Sequence, residues 1–98
     1  MKAINSQSKA SYRSIVSFVA RKGIRVVEKN KSISEWVRNK AVESIEKLLF
    51  EGEWIDEDDF EVEMTVLSSL RSSALSMLKT IVPEDKSALK SLISFLKI

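Results

Sequence analysis

The chain has no cysteine and no histidine, and only two glycines and one proline in 98 residues. Without cysteine there is no disulfide, no thiolate zinc site and no cysteine nucleophile. Without histidine the commonest metal ligand and the commonest general base are missing. Two glycines cannot build a glycine-rich phosphate loop. No apolar run approaches the roughly 20 residues that cross a bilayer. Residues 1–9 are polar and lack the apolar stretch of a secretory leader. These absences set a first group of expectations: a cytoplasmic protein, not an enzyme, with no catalytic set, no metal and no cofactor.

What is present suits a folded domain. Apolar residues make up 44% of the chain and charged residues 31%, a balance unlike that of disordered or low-complexity sequence. The length predicts one helical domain over residues 1–98. Apolar spacing predicts helices near 8–29, 33–51, 57–81 and 83–97. Short connections between them imply an all-α four-helix domain, packed as an antiparallel or irregular bundle.

Local signals refine those segments. Ser32-Ile33-Ser34-Glu35 reads as a capping box opening the second helix at Ser32. Gly52 suits a left-handed cap at its end. Asp56 reads as the N-cap of the third helix, with Glu57, Asp58 and Asp59 in its first turn and an Ile55–Phe60 staple. Pro83, Glu84 and Asp85 read as the first turn of the fourth. Gly23 interrupts the first helix, which predicts either a kink or a close helix crossing. The third helix carries a wide apolar arc opposite a serine-rich face, which predicts self-association through it or a central position in the bundle.

Charge is uneven although the net is only +2. Residues 1–49 hold 11 Lys/Arg and 4 Asp/Glu; residues 50–98 hold 5 and 10. Eight acids from Glu51 to Glu63 have no basic residue among them, yet they lack the glycine and alternating spacing of a calcium loop. They read as helix N-terminal charge. On the first helix, Arg21, Lys22, Arg25 and Lys29 share one arc, and Phe18 lies inside it. Cations with an aromatic among them match a phosphate backbone with a stacked base, an acidic protein surface, or a solvated face. Trp36 falls off the apolar arc of the second helix and reads as an interface anchor, and Arg38 is a further candidate contact residue. Trp54 reads as packing over the end of the bundle. Ser76-Met77-Leu78-Lys79 is the one Ser-x-x-Lys spacing on the third helix, without a base or an oxyanion site to make it catalytic.

Residues 30–42 look like the second-helix region of ribbon-helix-helix DNA-binding proteins, over about a seventh of the chain. That family would need a strand near residues 9–16. Residues 12–27 instead read as one amphipathic helix, so membership is not expected. The functional expectation is a small binding or regulatory protein that docks on a macromolecule through Phe18, Arg21, Lys22, Arg25, Lys29, Trp36 and Arg38. A protein partner is favoured because the net charge is modest for a dedicated nucleic-acid binder. A DNA- or RNA-binding regulator using the first helix is the alternative. No membrane partner is expected.

Overall fold

A computed structural model describes residues 2–54, 57–80 and 86–96, with side chains from Tyr12 onward. Four helices dominate: α1 Lys2–Lys29, α2 Glu35–Glu51, α3 Phe60–Met77 and α4 Lys86–Phe95. No strand occurs among the described residues, and the all-α four-helix architecture is as the apolar spacing predicts. No helix among them is long and apolar enough to cross a membrane. The longest dimension is 45 Å, which matches α1, since 28 residues at 1.5 Å each span about 42 Å.

α1 begins at Lys2, six residues before the position expected, because nothing between Lys2 and Gly23 breaks a helix. Gly23 is buried where α1 meets both α2 and α3. A Cβ there would stand 2.9 Å from Leu70 Cδ2, 3.7 Å from Ser69 Oγ and 3.8 Å from Ile45 Cδ1. Of the two readings of this glycine, the structure selects the close crossing. Ser69 at this seam and Ser73 one turn on are both buried, and each hydroxyl donates to a carbonyl of its own helix, Val66 O and Ser69 O, both at 2.9 Å. Their small, satisfied side chains let the helices approach without orphaned polar atoms.

Helix directions follow from who meets whom. Val26, Val27 and Asn30 at the end of α1 face Phe60, Glu61 and Met64 at the start of α3. Tyr12 and Val16 face Leu48, Leu49 and Gly52 at the end of α2. Both α2 and α3 therefore run against α1, so the bundle is irregular rather than simply up-and-down. α4 packs on α1 and α3, anchored by the buried Leu89 and Leu92. The core is aliphatic throughout: Val19, Val27, Ile45, Val62, Leu70, Leu89 and Leu96 are its largest fully buried side chains. Each contributes about 1.5–3 kcal/mol by leaving water.

The caps differ from expectation at two helix starts. α2 is capped by Ser34, not Ser32: Ser34 Oγ accepts from Val37 N at 3.2 Å. Ser32 lies in the preceding turn, where its N–H donates to Asn30 Oδ1 at 3.0 Å. The Asn30 side chain holds the turn closed for two more residues, so the helix starts later than the sequence spacing suggests. α3 is capped by Asp59, whose Oδ1 accepts from Val62 N at 3.0 Å. Glu57 and Asp58 thus precede the helix, and Glu61 and Glu63 occupy its first turn. Asp56 and Ile55 lie outside the described residues, as do Pro83, Glu84 and Asp85. α3 ends at Met77 rather than near Ile81, its last turn tightened by Leu78 N donating to Leu75 O at 3.3 Å. Gly52 caps α2 as expected, at φ 69° with its N–H on Leu48 O at 3.1 Å. At that φ an L side chain would be strained, and glycine is not.

Candidate docking surface

Phe18, Arg21, Lys22, Arg25 and Lys29 are all exposed on α1, opposite the face that carries Val19, Gly23 and Val27 into the core. The arc expected from the helical wheel is therefore a surface feature of the folded chain. Lys22 Nζ sits 5.2 Å above the Phe18 ring, close enough for a cation–π contact. Trp36 is exposed on α2, and Lys40, one turn later, places its Nζ 6.0 Å from the Trp36 ring.

Arg38 does not join this set. It is half-buried, and its guanidinium is turned onto the α1–α2 turn. Nε and Nη2 donate to Asn30 O at 3.2 and 3.1 Å, and Nη2 also donates to Ile33 O at 3.1 Å. A planar fork with several donors is the side chain that can hold two carbonyls at once. Its place is a brace for the turn that leads into α2.

A second feature lies at the other end of the bundle. Tyr12, Val16, Leu48, Leu49, Phe50, Trp54, Leu92 and Phe95 line a groove of about 630 Å³, with Arg13 and Glu51 among its polar residues. Trp54 and Phe95 meet edge to face, their centroids 5.0 Å apart at 81°. Trp54 also borders a small crevice with Ser44, Ile45, Leu48 and Val66, so the packing role expected for it and a place on the groove coincide. The groove was not expected from the sequence, although two signals pointed to it. Phe50 lies off the apolar arc of α2. Phe95 lies about 120° round the helix from Leu89, too far to share its inward direction.

All four phenylalanines and both tryptophans of the chain are exposed to between 37% and 75%. Exposed apolar residues scattered singly are normal. Here they comprise every Phe and Trp of the chain, among the largest apolar side chains it has, and three of them share one groove. On α3, Thr65 and Ser68 hydroxyls donate to Glu61 O and Met64 O one turn back.

Comparison with known protein families, with curated proteins and with solved structures finds no match to this chain.

Proposed function

We propose that this chain is a non-enzymatic docking protein that binds a protein partner through its exposed aromatic and basic helical surfaces. The observation that carries the reading is the partition of side chains: an aliphatic core beneath a surface holding every Phe and Trp. Fully burying a phenylalanine is worth about 1.5–3 kcal/mol, so leaving each of the four half to three-quarters exposed forgoes part of a stabilisation that a partner could recover. Aromatic residues and arginine are the types enriched at protein interfaces and among their hot spots. The arc of Arg21, Lys22, Arg25 and Lys29 around Phe18 adds steering toward an acidic protein surface. Self-association through α3 belongs to the same proposal, since Phe60 and Leu75 on that helix are also exposed.

The second reading is a DNA- or RNA-binding regulator. It is favoured by the same arc, where four cations could meet phosphates and Phe18 could stack on a base. One experiment separates the two. The native protein is captured with its partners with and without nuclease, alongside a variant with Arg21, Arg25 and Lys29 all changed to Glu. A protein partner retained after nuclease and lost in the variant supports the proposal. Loss on nuclease treatment, together with wild-type binding to mixed-sequence duplex that falls with salt by a log–log slope of roughly −0.9 per phosphate contacted, replaces it with the second reading. Capture unchanged by the triple reversal makes the arc a solvated face.

A further inference from the structure

α3 packs against α1, α2 and α4 and carries a largely apolar stripe whose two ends are exposed and whose middle residue, Leu67, also packs on the core. Phe60, Met64, Leu67, Arg71 and Leu75 fall within about 80° of its circumference. Phe60 is 75% exposed and Leu75 43%; Met64, Leu67 and Arg71 are half-buried. Inside that stripe the Nε of Arg71 is buried and has no hydrogen-bond partner. Buried polar groups are ordinarily satisfied, and a charged donor without an acceptor is costly. The Arg71 Nε is already enclosed by the chain itself, so what a partner can supply is apolar cover for the stripe and an acid for the outer guanidinium nitrogens of Arg71.

We infer that a second copy of the chain supplies both, by packing α3 against α3 in an antiparallel pair about a two-fold axis between Leu67 and Ser68. The inference rests on the reading of α3 as a self-association surface and specifies its geometry. In this register Phe60 of one copy comes opposite Leu75 of its partner, Met64 opposite Arg71, and Leu67 opposite Ser68. The two largest exposed side chains cover each other at both ends, and the small Ser68 lies at the closest approach. Arg71 is brought beside the partner turn that carries Glu61, an exposed acid that can accept from its guanidinium. Lys79, exposed past the end of α3, comes opposite the partner's Glu57 and Asp58. A parallel pair would set Arg71 beside Arg71 and Glu61 beside Glu61, a like-charge arrangement that disfavours association. Both orientations satisfy an isologous two-fold interface, and it is the charge pairing that selects the antiparallel one.

The absence of cysteine makes the geometry directly measurable. Ser68→Cys places a thiol at the axis and changes only an exposed hydroxyl. Leu75→Cys places thiols about 22 Å apart along an antiparallel pair but side by side in a parallel one. Sedimentation of the wild-type chain over a range of concentrations is expected to show a dimer, and mild oxidation to link Ser68→Cys into a covalent dimer while leaving Leu75→Cys unlinked. Arg71→Glu is expected to weaken the dimer about tenfold or more, and Glu61→Arg combined with Arg71→Glu to restore it, with helicity unchanged in both. A strict monomer at high micromolar concentration overturns the α3 reading altogether. A dimer in which Leu75→Cys links and Ser68→Cys does not leaves that reading standing and overturns the antiparallel register.

Discussion

Leu70 Cδ2 occupies the space that a Cβ at Gly23 would need: the two would be 2.9 Å apart. The atom in the way is the terminal methyl of Leu70, which is 1% exposed, so it can shift only within a filled core. Gly23→Ala gains helix propensity of about 1 kcal/mol. Against that, overpacking a tight core typically costs 1–3 kcal/mol. The substitution is expected to be destabilising by about 1 kcal/mol net, and Gly23→Val by more. Chemical denaturation measures both. A more stable Gly23→Ala would show that the helix crossing is looser than the geometry indicates.

The cap of α2 separates two serines two residues apart. Ser34 Oγ accepts from Val37 N, while the only Ser32 contact in the turn comes from its backbone N–H. Ser34→Ala is expected to cost about 1 kcal/mol. Ser32→Ala keeps its backbone bond and is expected to be close to neutral. The reverse order in thermal melts would reinstate the capping box at Ser32.

Those two serines also show where sequence reading stops. Four helices, the Gly52 cap and the basic arc on α1 were all legible, because apolar period, a glycine after the last periodic residue and one-sided cations are local patterns. The start of α2 was not, because Asn30 Oδ1 decides the shape of the turn and competes with a motif that Ser32-Ile33-Ser34-Glu35 satisfies on paper. The same holds for Arg38. Its position on the wheel gives no hint that two carbonyls eight and five residues back will claim its fork. The aromatic groove was hidden for another reason: Tyr12, the Phe50–Trp54 pair and Phe95 come from three distant parts of the chain, and the reversal of α2 against α1 together with the packing of α4 on α1 assembles them. Phe60, expected to staple onto Ile55, lies about 120° from Val66 on α3 and is 75% exposed.

Arg38 offers a test of brace against binding residue. Lysine keeps the charge and the stem but cannot reproduce the fork that holds Asn30 O and Ile33 O together. Arg38→Lys is expected to destabilise the protein by about 1–2 kcal/mol, the order expected for lost hydrogen bonds from a charged group. Hydrogen exchange should rise locally in residues 30–37. If stability and exchange are unchanged while partner capture falls, Arg38 acts on a partner and not on the turn.

Phe50 and Leu89 set the last expectation, because they separate side chains that hold the fold from side chains held ready for something else. Leu89 is 0% exposed at the contact of α4 with the rest of the bundle, and Phe50 is 75% exposed at the rim of the groove. Truncating a buried leucine loses its transfer free energy and leaves a cavity, so Leu89→Ala is expected to cost about 2–5 kcal/mol. Phe50 is already mostly in water, and Phe50→Ala is expected to stay within about 0.5 kcal/mol of wild type. Denaturant titration of the two variants gives the comparison. A large loss for Phe50→Ala would mean that the ring packs on the protein in solution and that the groove is narrower than its 630 Å³. A negligible loss, with partner capture reduced, would place the phenylalanine where the surface reading puts it: outside the ledger of folding and available to an interface.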